Sequence, residues 1–141
     1  MMCNRNQKQT RGIGVGKKKK PAVILLGHGS IRESANIEIR GMWKMMAEQM
    51  PELEISGCFV EVAEPTLEQE IDRLAATGAE HIVIVPIFLT RGNHLSNGIP
   101  RILDAMRQKH SNIRIELTQH LGVDPLLAQI IKNRLKEAGV E

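Results

Sequence analysis

The sequence is poor in aromatic residues and in cysteine. It has no tyrosine, one tryptophan and two phenylalanines among 141 residues, so aromatic rings make up 2% of the chain. Its two cysteines, Cys3 and Cys58, belong to no C-x-x-C pair, which excludes a disulfide framework and predicts a reduced, cytoplasmic protein. The longest uninterrupted apolar run is Ala22–Leu26. It is far shorter than the roughly 20 residues of a membrane span, and also shorter than the apolar core of a signal peptide. A membrane partner is therefore not expected.

Basic residues are concentrated at the start of the chain. Residues 1–20 include Arg5, Lys8, Arg11 and Lys17–Lys20 and no acidic residue, so the remaining 121 residues are mildly acidic although the whole chain is +3. A glycine-rich basic leader with few apolar residues is predicted to be disordered. We assign it no function, and a nucleic-acid partner is not expected. The predicted organisation is a leader at 1–20 and one α/β domain at 21–141.

The hydrophobic pattern alternates between strand and helix periods. Strands are predicted at Ala22–Leu26, Ile55–Val62, His81–Leu89 and Ile113–Thr118. Helices are predicted at 33–50, from the capping box Thr66–Gln69 to Gly78, at Leu95–Lys109, and from Asp124-Pro125 to Gly139. The last helix is expected to bury Leu127, Ile130, Ile131 and Leu135. The order βαβαβαβα with short connections predicts an α/β fold: a four-stranded parallel open sheet with helices on both faces.

Polar residues follow the predicted strands at their carboxyl ends, where open parallel sheets bind ligands. His28 lies between two glycines after the first strand, Glu61 follows the second, and His94 follows the third. Two imidazoles and a carboxylate suit a divalent metal and leave coordination positions open. The alternative for His28 is that it only caps a turn.

Other residues at this edge have two interpretations each. Ser30 fits a capping box with Glu33, and Glu64 precedes Pro65 at a helix entrance, so both can be purely structural. Arg32 and Arg91 either bind carboxylates or are solvated. His120 is either an additional ligand or a surface histidine. His81 and His110 fall elsewhere in the predicted fold and receive no function.

Three motifs occur in order along the chain. They are Leu26-Gly-His-Gly-Ser30, Phe59-Val-Glu-Val-Ala-Glu-Pro65, and Pro86-Ile-Phe-Leu-Thr-Arg-Gly-Asn-His94 followed by Ile99-Pro100. With the later stretch 121–127 they resemble the class II sirohydrochlorin chelatases of the CbiX type, over residues 22–136. Each motif alone is of modest specificity, but four in register across one domain make the resemblance strong.

The resemblance implies an enzyme that inserts a divalent metal into sirohydrochlorin without ATP, in tetrapyrrole biosynthesis. The metal is expected to be cobalt, with nickel and iron as alternatives, and is a substrate; no prosthetic group is expected. Long members of the family are tandems of two such domains, and short ones are homodimers, so a homodimer is expected here. The catalytic and metal-site histidines correspond to His28 and His94, and the carboxylate to Glu61, with Glu64 as a second candidate.

Five residues at the same edge are expected to contact the tetrapyrrole: Ser30, Arg32, Glu64, Arg91 and Leu95. One position departs from the family pattern. Where the family usually reads H-x-x-x-D-I-P, this chain has Gly98 in the acidic position. The departure motivates an alternative function, a non-catalytic carrier of metal or tetrapyrrole that keeps the same site.

Overall fold

The computed structural model describes residues 19–141, and in them four strands alternate with helices. The strands are β1 (Ala22–Gly27), β2 (Glu54–Phe59), β3 (His81–Pro86) and β4 (Arg114–Leu117). The helices are α1 (Glu33–Gln49), α2 (Leu67–Ala76), α3 (Ile99–Lys109) and α4 (Pro125–Glu137). A short π-helical turn, His94–Gly98, runs directly into α3. β2, β3 and β4 are shorter than predicted, because the chain leaves the sheet before the polar residues at their ends.

The four strands form one parallel sheet in the order β2-β1-β3-β4. β1 and β3 are central, which agrees with their apolar residues on both faces. Because every strand runs in the same direction, the segments that follow the strands all lie at one edge of the sheet. The predicted α/β fold is confirmed.

The main core lies on one face of the sheet, under α2 and α3. Residues such as Ile24, Leu26, Ile82 and Ile84 point to this face and are fully buried. The two helices cover them with the following side chains: Leu67, Ile71 and Leu74 from α2, and Ile99, Leu103 and Met106 from α3. The predicted capping box fixes the start of α2, since Thr66 and Gln69 exchange both hydrogen bonds.

The opposite face is covered by α1. Trp43 of α1 lies flat against β2 at Gly57, where a Cβ atom would approach the indole ring to 2.0 Å. Its ring also packs on Phe59 at a centroid distance of 4.9 Å. The predicted apolar stripe of α1 is only partly covered, however, and Met42 remains 44% exposed. This face of the sheet is therefore incompletely packed.

The last helix differs from the prediction. Asp124 caps α4 as expected, by accepting a hydrogen bond from the Leu126 backbone N–H at 2.8 Å. No residue of α4 is buried, however: Leu127 is only half-buried, and Ile130, Ile131 and Leu135 are exposed. The prediction that α4 buries these four residues is wrong for a single copy of the chain, because α4 does not pack on its own sheet.

Most of the predicted leader, residues 1–18, lies outside the described residues. Lys19, where the description begins, donates a hydrogen bond from Nζ to the Gly78 carbonyl at 3.0 Å. Among the helices of residues 19–141, none is long and apolar enough to cross a membrane. The domain boundary at Pro21 remains a prediction.

Candidate functional site

The loops after β1 and β2 lie against each other. The Glu61 N–H donates to the His28 carbonyl at 3.1 Å, and the Val60 N–H donates to the Gly27 carbonyl at 2.9 Å. Gly29 has φ +90°, and a Cβ atom there would lie 1.9 Å from the Glu61 carbonyl oxygen. Only glycine fits this position. Because Gly29 has no side chain, the backbone of Glu61 can lie next to the backbone of His28.

His94 lies at the start of the π-helical turn after β3. The Ile99 N–H donates to the His94 carbonyl, which is the i to i+5 bond of a π-helix. Pro100 follows and has no N–H to continue α-helical bonding back to Ser96. π-helical turns are rare and recur at functional sites. Here the turn begins at the candidate ligand itself.

The side chains of His28, Glu61 and His94 lie near one another at this edge. The two imidazole centroids are 5.7 Å apart, at an interplanar angle of 62°. His94 Nε2 lies 3.5 Å from Glu61 Oε1, and the His94 side chain is 32% exposed. Within residues 19–141, no three His, Cys, Asp or Glu side chains form a ready-made ligand cage. The arrangement is thus an open cluster, unlike the closed four-ligand shell of a structural zinc site.

His28 is held in place by an aromatic ring. Its imidazole stacks on Phe88 at a centroid distance of 3.9 Å and an interplanar angle of 20°, and Phe88 is buried. Partial burial lowers the pKa of His28, the neighbouring His94 lowers it further, and Glu61 opposes the shift. The neutral form of the His28 imidazole is therefore favoured, and a neutral imidazole has a nitrogen lone pair that can bind a metal ion.

A cavity of about 370 Å³ is lined by Arg91, Leu95 and His120, among others, and Leu95 directly follows His94 in the chain. Two of the five predicted tetrapyrrole contacts, Arg91 and Leu95, therefore share one cavity. Leu95 is largely buried in the core and presents only an edge. His120 also lines this cavity, from the segment after β4, and its role as an additional ligand stays a prediction.

Ser30, Arg32 and Glu64 lie at the same edge and make local contacts. Ser30 Oγ accepts from the Arg32 N–H at 3.1 Å, and Arg32 occupies the N-cap position of α1. The predicted capping box at Ser30 is therefore wrong, because its hydroxyl stabilises the turn before the helix. Glu64 accepts a long hydrogen bond from Gln69 at 3.5 Å. The carboxylate that approaches His94 is Glu61.

Two residues important for this geometry were missed by the sequence analysis. Asn36, a buried polar residue of α1, bonds both the N–H and the carbonyl of Ser30, at 2.9 and 2.8 Å. Phe88 supports the His28 ring. The signals available in the sequence were an asparagine within the first predicted helix and one of only two phenylalanines, Phe88, which lies inside the third motif.

His81 and His110 have structural roles away from this edge. His81 Nε2 bonds Glu116 at 2.9 Å, and this hydrogen bond lowers the pKa of the Glu116 carboxyl. His110 Nε2 bonds Asp72 at 2.7 Å. Both histidines thus stabilise contacts between elements of the fold, away from the candidate site.

The fold and site together define a class: an open-sheet α/β protein with an exposed His–His–Glu cluster beyond the carboxyl ends of its strands. The protein-family model CbiX matches residues 22–138, and the chain belongs to this family. It is 31% identical to a sirohydrochlorin cobaltochelatase of Methanothermobacter thermautotrophicus, over 86% of this chain and 95% of that protein. It is 29% identical to a sirohydrochlorin ferrochelatase of Bacillus subtilis, over 86% of this chain and 46% of that protein.

Solved structures give the same result for the fold. A putative cobalamin biosynthesis CbiX protein of Marinobacter aquaeolei matches with a TM-score of 0.73 and 27% identity, over 84% of this chain and 97% of that chain. The sirohydrochlorin chelatase SirB of Bacillus subtilis subspecies spizizenii, in complex with cobalt, matches with a TM-score of 0.76 and 26% identity. That match covers 84% of this chain and 51% of the SirB chain.

Gly29→Ala is expected to lower the free energy of unfolding by about 2 kcal/mol or more, because it combines left-handed strain with a backbone clash. Gly41→Ala is the matched control, since Gly41 lies inside α1 with no other atom within 4 Å of the added Cβ. That change is expected to raise stability by roughly 0.5–1 kcal/mol. Urea unfolding of both variants measures the difference, and equal effects would contradict the close approach at Gly29.

The pKa of His28 is expected to respond in opposite directions to its two charged neighbours. His94→Gln removes a repulsive positive charge and is expected to raise the pKa of His28. Glu61→Gln removes an attractive negative charge and is expected to lower it further. Imidazole NMR titration measures these shifts, with His81→Gln as the control. Shifts of the same sign in the two variants would show that the cluster is not arranged as described.

Proposed function

We propose that this chain is a sirohydrochlorin chelatase that inserts a divalent metal ion into the macrocycle without ATP. Cobalt is the proposed metal, with nickel and iron as alternatives. One observation carries the proposal: His28, Glu61 and His94 meet in an open cluster at the ligand-binding edge of a CbiX-family domain. Relatives named cobaltochelatase and ferrochelatase support the reaction, with cobalt or iron as the metal.

The cluster supplies what metal insertion requires. The incoming ion must exchange water for protein ligands and then for pyrrole nitrogens, and two pyrrole N–H protons must leave. Neutral His28 is a ready ligand, whereas the Glu61 carboxylate adds the negative charge that attracts a cation. An incomplete ligand set holds the ion loosely, so the four macrocycle nitrogens can displace the protein.

Proton removal is assigned to the pair of His94 and Glu61. As the ion passes to the macrocycle, the His94 nitrogen it leaves can accept the first pyrrole proton. Because the His94 side chain is partly exposed, it can pass that proton to solvent and then accept the second. The carboxylate of Glu61, 3.5 Å from His94 Nε2, stabilises the imidazolium that forms. His28 is less suited to this step, because burial and His94 disfavour its protonated form. His28 therefore acts as the ligand and His94 as the ligand that becomes the base.

Recognition of the macrocycle is proposed to be local and aliphatic. Ile31 is 90% exposed and Leu89 is 60% exposed, and both lie in the segments that carry the cluster. With so few aromatic residues, such side chains are the surface available to a flat tetrapyrrole. Arg32 and Arg91 lie in the same two segments and match its peripheral carboxylates. Ser30, Glu64 and Leu95 remain predicted contacts.

The active form is proposed to be a homodimer in the cytoplasm. The chain covers almost all of the Methanothermobacter relative but 46% of the Bacillus subtilis ferrochelatase. A relative twice as long has room for two units of this size, so a second copy of this chain is the simplest equivalent. No prosthetic group is proposed, because the metal is the substrate.

The chelatase proposal is tested anaerobically with purified protein, sirohydrochlorin and Co²⁺, Ni²⁺ or Fe²⁺, by the change in the visible spectrum. His28→Gln and His94→Gln are each expected to lower the insertion rate by about 100-fold or more. His81→Gln is the matched control and is expected to keep the rate, since His81 lies at the far end of β3. Stoichiometric binding without insertion above the protein-free rate would favour the carrier instead.

Gly98 has room for the acidic residue that the family usually carries. Its φ is −67°, and a Cβ atom there would lie 3.7 Å from His94 Nδ1 without a clash. Gly98→Asp is therefore expected to raise the rate of metal insertion relative to the neutral isostere Gly98→Asn, because a carboxylate stabilises the imidazolium that forms when His94 accepts a proton. The anaerobic spectral assay compares the two variants. Equal insertion rates would mean that residue 98 does not act on His94.

A further inference from the structure

The most deeply buried residue of α1 is polar. Of the residues Glu33–Gln49 of α1, all of which the structure describes, only Asn36 is buried, with 2% exposure, although the helix also carries Ile39 and Trp43. Asn36 does not cap the helix, because Arg32 occupies the N-cap position four residues earlier. A buried amide costs free energy unless its hydrogen bonds are made. The bonds of Asn36 therefore indicate what this part of α1 stabilises.

Asn36 anchors the loop that carries His28. Its Oδ1 accepts from the Ser30 N–H at 2.9 Å, and its Nδ2 donates to the Ser30 carbonyl at 2.8 Å. Ser30 is separated from His28 only by Gly29, and glycine restricts the backbone less than any other residue. On the other side of His28, Gly27 is the last residue of β1 and is held in the sheet. His28 thus lies between two anchored points, and Asn36 supplies one of them.

Asn36 belongs to a polar network along one side of α1. Glu33, Asn36 and Arg40 are spaced three and four residues apart, which places them on the same side of a helix. Glu33 Oε2 accepts from Asn36 Nδ2 at 3.2 Å, and Glu33 Oε1 accepts from Arg40. Both hydrogens of the Asn36 amide are therefore used, one on Ser30 and one on Glu33. We call Glu33, Asn36 and Arg40 the α1 brace.

Arg40 connects the α1 brace to the loop that carries Glu61. Its guanidinium donates to the Glu64 carbonyl at 3.4 Å, and the central carbon of the guanidinium lies 5.3 Å from the centre of the Phe59 ring. Phe59 is the last residue of β2, so Arg40 contacts the chain both before and after Glu61. The α1 brace therefore contacts the two loops that carry two of the three candidate ligands.

We propose that the α1 brace positions His28 and Glu61 for metal binding, with Asn36 as its central residue. The inference rests on the metal site of the proposed function and specifies how the ligands of that site are held. Each brace residue acts through the loop that it bonds and does not itself touch the metal. An open cluster has no closed ligand shell to fix its geometry, so the separation of its ligands is set by the backbone that carries them. Loss of the brace is expected to weaken metal binding without removing a ligand.

Cobalt binding by the full chain, without sirohydrochlorin, is the first test. Asn36→Ala is expected to raise the dissociation constant of Co²⁺ by about tenfold or more, since residues that orient metal ligands commonly have effects of this size. Arg40→Lys keeps the charge but cannot bond Glu33 and the Glu64 carbonyl together, and it is expected to raise the constant by about threefold. The Arg40 side chain is 38% exposed, so this variant remains informative even if Asn36→Ala does not fold. The visible absorption of bound Co²⁺ reports ligand geometry and is expected to change in both variants.

Arg73→Ala is the matched control. Arg73 donates to the buried Glu70 at 2.8 Å and also lies near Glu54 at the start of β2, far from the candidate site. Its removal is expected to lower the urea midpoint of unfolding, as Asn36→Ala does, but to leave the affinity for Co²⁺ unchanged. Equal losses of affinity in Asn36→Ala and Arg73→Ala would show that the brace only stabilises the fold, and would overturn the proposal. Circular dichroism confirms that each variant is folded.

A double-mutant cycle shows whether Asn36 acts through His28. Once His28→Gln has removed the ligand, Asn36→Ala is expected to change the affinity for Co²⁺ by less than about threefold, whereas independent effects would multiply. Effects that multiply, a wild-type chain that binds no Co²⁺, or an unchanged affinity in both Asn36→Ala and Arg40→Lys would overturn the inference. Insertion that continues with unchanged Co²⁺ affinity in these variants would overturn the inference alone. Co²⁺ binding that depends on the brace, without insertion, would overturn the chelatase proposal alone.

Discussion

The site depends on a single close approach between two backbone segments. The loops after β1 and β2 lie in contact because Gly29 has no side chain, and a Cβ atom would overlap the Glu61 carbonyl. Two backbone hydrogen bonds, to the carbonyls of Gly27 and His28, fix the separation. His28 and Glu61 therefore have their positions set by main-chain contacts, whereas His94 approaches from β3 on a π-helical turn. An open cluster with a rigid backbone suits an ion that must be bound and then released.

Much of this arrangement was predictable, because it follows from local rules. A capping box at Thr66, a left-handed glycine at Gly78 and the Asp124-Pro125 start are each fixed by two to four residues. Parallel strands then bring three histidines and Glu61 to one edge without further information. Resemblance to the CbiX family selected His28, Glu61 and His94 from the other polar residues as candidate ligands, and these three side chains lie near one another in the structure.

What could not be predicted depends on contacts between distant segments. The stacking of His28 on Phe88 leaves no local pattern, nor does the bond between Asn36 and Ser30. The burial of α4 was predicted incorrectly for a related reason. Periodicity shows that a helix has an apolar side but does not show which surface covers it, and the assumption that it packs on its own chain was wrong.

The apolar groove on the α1 face of the sheet and the cavity lined by His120 are connected through consecutive residues. His120 lines the cavity together with Arg91 and Leu95, and Leu121 lines the groove. The Gly122 N–H donates to the Phe88 carbonyl, and the Phe88 ring stacks on the His28 ring. A restraint on residues 120–122 therefore acts both on the wall of the cavity and on the ring that supports His28.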